Sequence, residues 1–156
     1  MTWLLGDARD QLDDVFGLCP ELHARYREFA ALFWTRNFFD SVLLELCRLR
    51  VAQLLGCSPL PHAGAGMRLD APRRAALDAW ADSELFSERE RACLAFADRF
   101  VLDPHAITDD DAAALSRYLS PAEMVAFTEA LALLDGFTRF CAMLGIRNRD
   151  EGSDNP

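Results

Sequence analysis

Apolar side chains recur every three or four residues along most of the chain, which is the spacing of one face of an α-helix. Residues 20–38 show the pattern clearly, with Tyr26, Phe29 and Phe33 on one face. Pro20 suits the first turn of a helix, where its missing amide hydrogen needs no partner. The pattern predicts a helix over residues 20–38 whose aromatic side chains belong to the core and not to a cofactor site.

A second segment, residues 42–55, is apolar on nearly every face and carries few polar side chains, among them Glu45 and Arg48. A helix that is apolar all round is buried on all sides, so this one is predicted to lie at the centre of the fold. Gly56 is suited to end it because glycine readily adopts the left-handed conformation. Residues 57–66 are dense in proline and glycine, which predicts a loop.

Capping residues mark the starts of later helices. Ser87 and Glu90 have the spacing of a capping box, and two later pairs repeat the device. Residues that favour strands are scarce, whereas Ala, Leu, Arg and Glu are abundant. The sequence predicts an all-α bundle of about seven or eight helices in one domain, residues 1–149, followed by a polar tail at 150–156. Besides the two segments above, helices are predicted over residues 8–16, 70–82, 88–102, 109–119 and 121–146.

Charge and composition exclude several classes of function. The formal net charge of −9 opposes binding to the phosphate backbone of a nucleic acid. All 16 basic residues are arginine, so the chain has neither a lysine for a Schiff base nor a P-loop lysine. No apolar run approaches the roughly 18 residues of a membrane span, and the first residues lack the basic region of a secretion signal. A cytoplasmic protein without nucleic-acid or membrane partners is expected.

Five cysteines are spread singly through the sequence, and Cys57 alone falls at a predicted turn. An odd number of isolated cysteines does not form a disulfide framework, so reduced thiols are predicted. The spacing of the cysteines and histidines does not match a zinc signature. Neither a metal nor a cofactor is therefore expected.

The central predicted helix carries a family resemblance. Residues 44–57, an apolar helix with one glutamate that ends in Gly-Cys, resemble the signature of the carboxymuconolactone decarboxylase/AhpD-like superfamily. Residues 86–92, 119–124 and 137–140 agree with later parts of the family pattern, and the likeness spans about residues 20–146. The resemblance implies an AhpD-like all-α bundle that forms a homodimer, homotrimer or homohexamer, and an alkylhydroperoxidase activity.

The resemblance also implies a site, which this chain matches in part. Complete family members have a Cys-x-x-Cys motif, a glutamate twelve residues before the first cysteine and a histidine four after the second. Glu45 and Cys57 match the glutamate and the first cysteine, but the second cysteine falls on Leu60 and the histidine on Gly64. His62 lies two positions early. In the family the second cysteine meets the peroxide, so weakened or lost two-cysteine peroxidase activity is expected, with Glu45, Cys57 and His62 as catalytic candidates.

The chemistry explains why these residue types belong together. A thiolate is the nucleophile, a glutamate and a histidine linked through water can accept its proton, and a second thiol traps the sulfenic acid as a disulfide. Each candidate also has a structural interpretation. Cys57 can be an inert loop residue, Glu45 can pair with Arg48 one turn later, and His62 can be a solvated loop histidine.

Two other functions remain open at this stage. The chain can be a non-catalytic homo-oligomer that binds a small ligand in the former active-site cavity, which Leu60 makes more apolar. Lactone decarboxylation, the reaction after which the superfamily is named, needs no cysteine pair. Glu45 is the only acid–base group that the sequence offers for it.

Overall fold

Seven α-helices make up most of the structure, a computed structural model that describes residues 12–36, 38, 40–59 and 69–146. The described part of the chain contains no strand, which confirms the predicted all-α class. None of its helices is long and apolar enough to cross a membrane. The helices are α1 (Leu12–Gly17), α2 (Pro20–Thr35), α3 (Ser41–Leu54), α4 (Ala71–Ala76), α5 (Glu88–Leu102), α6 (Asp109–Ser116) and α7 (Pro121–Leu144), with 3₁₀ turns at Leu77–Asp82 and Pro104–Ala106.

The helix starts lie where the capping residues predicted them. Ser87 accepts a hydrogen bond from the amide of Glu90, and the Glu90 carboxylate accepts one from the amide of Ser87. The same reciprocal exchange begins α6 and α7. Each box satisfies backbone donors that the first turn of a helix leaves without a partner, so these starts depend on residues three positions apart.

The segment predicted as one helix over residues 70–82 is divided in the structure. An α-helix ends at Ala76 and a 3₁₀ turn follows, with Ala79 outside helical geometry at φ −110° and ψ 37°. Leu77 is fully buried in the core, and Trp80 packs against it from the other side of this kink. Trp80 also donates a hydrogen bond from Nε1 to Asp98 at 3.3 Å.

The helix α3 lies at the centre of the fold, as predicted, and packs against both α5 and α7. Most of its apolar side chains are buried, and Leu46 and Val51 are fully so. Among the described residues, Glu45 is the one charged side chain in the buried core, at 2% exposure. A carboxylate at such a position needs a partner, because burying an unpaired charge costs several kcal/mol.

A second, smaller buried cluster lies at the C-terminal end of α7. Cys141, Leu144 and Ile146 form it together with Val15 of α1, and Phe137 packs against it. The helix α7 therefore contributes to the main core near its middle and to this smaller cluster near its end. The candidate site lies beside the smaller cluster.

Candidate functional site

A cavity of about 840 Å³ lies among α1, α2, the C-terminal half of α3 and the C-terminal half of α7. Each helix presents one face to it. On α2, for example, His23, Tyr26, Ala30 and Trp34 line the wall, spaced three or four residues apart. Its size lies within the range of about 300–1,000 Å³ that is usual for small-molecule pockets.

Stacked aromatic rings form one wall of the cavity. The rings of Phe16 and His23 stack with centroids 4.0 Å apart and 12° between their planes, and those of Tyr26 and Phe137 stack at 5.1 Å and 19°. Burial, and then the charge of Cys141, raise the pKa of the Tyr26 hydroxyl, so it stays protonated at neutral pH. This wall offers a flat, largely apolar surface to a ligand.

The predicted core position of the α2 aromatics holds only in part. Phe33 is buried in the core, but Tyr26 lies on the cavity wall and Phe29 is 40% exposed. The helix lies at the edge of the bundle, so part of its apolar face has the cavity beside it and part has solvent. Leu22 on the same helix is 67% exposed for the same reason.

Glu45 forms a two-pronged ion pair with Arg48. The guanidinium donates from Nε to one carboxylate oxygen at 2.8 Å and from Nη2 to the other at 2.9 Å. Arg48 lines the cavity, whereas Glu45 is buried and is not part of the described lining. This geometry favours the structural interpretation of Glu45 over a general base, since both of its oxygens accept hydrogen bonds from the arginine.

Cys57 lies on the cavity wall, half-buried, three residues after α3 ends. Gly56 adopts the left-handed conformation at φ 63°, and the amide of Cys57 then donates to the carbonyl of Ala52 at 2.8 Å. The glycine thus turns the chain and fixes the backbone of Cys57. Its thiol donates a hydrogen bond to the carbonyl of Leu55 at 3.3 Å.

The other residues implied by the family pattern, Leu60, His62 and Gly64, lie outside the described residues. Among the residues that the structure describes, His23 is the histidine that lines the cavity with Cys57, and sequence analysis did not single it out. The two residues are far apart in sequence, and the packing of α2 brings His23 to the same cavity as Cys57. The available signal was the helical spacing that puts His23 on the same face as Tyr26.

Cys141 is a second thiol on the cavity wall that sequence analysis did not single out, and it is 2% exposed. Burial, and then the charge of nearby Cys57, raise the pKa of its thiol to about 12. Burial also raises the pKa values of Cys47 and Cys93, and both are fully buried in the main core. The remaining cysteine, Cys19, is exposed.

These environments predict how fast each thiol of the folded protein reacts with a maleimide. Cys19 and Cys57 are expected to react first, and Cys47 and Cys93 at least about 100-fold more slowly, because alkylation needs an accessible thiolate. Mass spectrometry of peptides taken at timed intervals measures each rate, and urea-unfolded protein gives the reference rates. Labelling of Cys47 as fast as that of Cys57 would contradict the full burial of Cys47.

No model of a known protein family matches the sequence, and no curated protein matches it. Several solved structures share its architecture, and two of them illustrate it. One is a protein of unknown function from Agrobacterium tumefaciens, described as a candidate antioxidant defence protein AhpD, with 18% identity, a TM-score of 0.72 and coverage of 94% of this chain and 99% of that one. The other is the debrominase Bmp8 without ligand, with 19% identity, a TM-score of 0.74 and coverage of 85% and 73%. At these identities the similarity concerns the fold, and the chain has the all-α fold of AhpD-like proteins.

Proposed function

We propose that the protein is a thiol peroxidase that reduces small, largely apolar hydroperoxides, with Cys57 as the attacking thiol in place of a Cys-x-x-Cys pair. The observation that carries the proposal is the half-buried Cys57 on the wall of a ligand-sized cavity. Binding in such a cavity brings the hydroperoxide close to the sulfur and holds it there, which converts a bimolecular encounter into a positioned reaction.

The reaction transfers one oxygen atom. The Cys57 thiolate attacks the terminal oxygen of the hydroperoxide, the O–O bond breaks, and the products are a sulfenic acid and an alcohol that takes up a proton. Arg48 brings a positive charge to the same cavity, which stabilises the negative charge that develops on the leaving oxygen. Glu45 holds the guanidinium in place and is in this proposal a positioning residue.

The wall of the cavity supports an aromatic or branched alkyl hydroperoxide as substrate. Phe16 and Tyr26, with their stacking partners, offer ring faces over which a flat apolar group packs well. Hydrogen peroxide has no apolar group that could pack against such a surface, so the wall does not strengthen its binding. The proposal therefore predicts that cumene hydroperoxide is reduced more efficiently than hydrogen peroxide.

The two structures with this fold give limited support for the chemistry. The Agrobacterium tumefaciens protein is described as an antioxidant defence candidate, which agrees with peroxide reduction, whereas the debrominase has a different activity on the same fold.

The second candidate function is non-catalytic binding of a small ligand, and the aromatic wall is the one observation that favours it. The decarboxylase alternative depends on Glu45 as an acid–base group, and the pairing of both its oxygens with Arg48 argues against that role. The homo-oligomer and the role of His62 stay predictions.

A peroxidase assay with matched cysteine variants tests the proposal. Consumption of cumene hydroperoxide is followed with dithiothreitol as reductant for the wild type, Cys57→Ser and Cys19→Ser. The Cys57→Ser variant is expected to lose at least about 100-fold of the rate because the nucleophile is gone, while Cys19→Ser, which removes an exposed thiol, stays within about twofold of the wild type. A wild-type rate equal to that of the buffer, with cumyl alcohol still raising the melting temperature, would support the ligand-binding function instead.

A further inference from the structure

Two thiols from different parts of the chain share the cavity wall. Cys57 comes from the segment that follows α3, and Cys141 from the last turns of α7. Cys141 lies on the same face of its helix as Leu134 and Thr138, which also line the cavity. The cavity wall therefore carries a second thiol, which another helix supplies.

The electrostatics of Cys141 agree with this placement. Burial, and then the negative charge of a Cys57 thiolate, raise the pKa of Cys141 to about 12. Cys47 and Cys93 form a comparable pair in the main core, but the described cavity lining includes neither of them. Cys57 and Cys141 are thus the two cysteines in the described cavity lining, where a molecule in the cavity can reach both.

We propose that Cys141 is the resolving thiol for Cys57, so that the two cavity cysteines form the redox pair that Cys-x-x-Cys provides in complete AhpD-like sites. The oxidative order, Cys57 first and Cys141 second, rests on the proposed peroxidase function, whereas the ability of the two thiols to form a disulfide does not. Their exposure agrees with this order, since Cys57 is half-buried and Cys141 is almost fully buried.

The proposed cycle has three balanced steps. Cys57 reduces the hydroperoxide to an alcohol and becomes a sulfenic acid. The Cys141 thiol then attacks the Cys57 sulfur while its proton passes to the sulfenic oxygen, an S–S bond forms, and that oxygen leaves as water. An external dithiol, oxidised to its own disulfide, returns both cysteines to thiols.

The local backbone leaves the Cys57 side chain able to reorient within the cavity. Cys57 lies outside any helix, and its thiol donates a hydrogen bond to the carbonyl of Leu55. Reorienting this side chain therefore breaks no hydrogen bond of a helix. The burial of Cys141 in turn excludes bulky external thiols from it, so that a partner inside the cavity is favoured.

The test uses full-length protein carrying Cys19→Ser, which prevents disulfides between molecules through the exposed thiol. One sample receives one equivalent of cumene hydroperoxide, and a second receives diamide, which oxidises two neighbouring thiols to a disulfide and needs no peroxidase chemistry. Peptide mapping without reduction locates any disulfide, and dimedone captures sulfenic acid. The same measurements are made on Cys19→Ser combined with Cys141→Ala and, as a matched control in the core, with Cys93→Ala.

With both oxidants the parent protein is expected to lose two hydrogen atoms and to give a peptide linked through Cys57 and Cys141. Without Cys141, capture of Cys57 sulfenic acid by dimedone is expected to rise at least about tenfold, because the resolving step is absent. The Cys93→Ala control should behave like the parent.

Failure of the pairing can be told apart from failure of the peroxidase proposal. If neither oxidant links Cys57 to Cys141, and sulfenic acid accumulates equally with and without Cys141, the pairing is overturned and the peroxidase function stands. If diamide forms the link but the hydroperoxide leaves Cys57 unmodified, the pairing is supported and the peroxidase function fails. The diamide result on the parent protein needs no substitution at Cys141, so it holds even if that variant misfolds.

Discussion

Replacing Glu45 by glutamine is expected to lower the free energy of unfolding by about 3–5 kcal/mol, the usual effect of removing one member of a buried ion pair. The Arg48 side chain is 13% exposed, and both carboxylate oxygens of Glu45 accept hydrogen bonds from it. Without the carboxylate, the guanidinium keeps its charge in a poorly solvated position. Urea unfolding followed by circular dichroism measures the change.

The chain contains a matched control for this experiment. Arg25 and Glu28 form a pair with the same spacing of three residues and an N–O distance of 2.9 Å, but their side chains are 72% and 66% exposed. Because water solvates such charges well, Glu28→Gln is expected to change the free energy of unfolding by at most about 0.5 kcal/mol. Equal effects at positions 45 and 28 would show that burial does not determine the strength of the Glu45 pair.

A double substitution distinguishes the effect of removing both charges from the effect of removing only the carboxylate. Glu45→Leu combined with Arg48→Met removes both charges and keeps apolar side chains of similar length. Replacing a buried pair by well-packed apolar residues is often neutral, so the double variant is expected to recover most of the stability lost in Glu45→Gln. It is also expected to lose peroxidase activity, since Arg48 leaves the cavity wall.

The parts of the fold that were predictable from sequence depend on residues close together along the chain. The Ser87–Glu90 capping box and the left-handed Gly56 act over one turn, and both are formed as expected. The Glu45–Arg48 pair is local in the same way, and the sequence offered it as one of two alternatives. The divided helix at Ala79 was not predictable, because it depends on the packing of Leu77 and Trp80 against α3 and α5.

The candidate site was only partly predictable because it is assembled from distant segments. Helical periodicity identifies the apolar face of α2, but it does not show whether Tyr26 faces the packed core or a cavity. For His23 and Cys141 the sequence gives no local signal of a partner, since each reaches the cavity through the packing of its whole helix. The family pattern concerns positions that are close in sequence. It identifies Cys57 and shows that position 60 lacks a cysteine, but it gives no information about a cysteine on another helix.

Leu131→Ala in the middle of α7 is expected to destabilise the protein by about 2–5 kcal/mol, because it removes apolar contacts and leaves a cavity in the core. Leu131 is fully buried in the main cluster, next to Phe127 and Ala130. For a chain of 156 residues this corresponds to a decrease of roughly 10 °C in melting temperature. Met143→Ala, on the same helix but 66% exposed, is the control and is expected to change the stability by at most about 0.5 kcal/mol.

The same variant tests whether the site is independent of the main core. Leu131 belongs to the large cluster, whereas Cys141 belongs to the smaller one, ten residues and about 15 Å further along α7. Damage to the large cluster lowers the stability of the whole chain but leaves the accessibility of Cys57 in the folded state unchanged. The maleimide rate of Cys57 at 25 °C is therefore expected to stay within about twofold of the wild-type rate in Leu131→Ala, since most molecules remain folded. A much faster rate would mean that the cavity opens when the core is weakened, and that α7 transmits the change to the site.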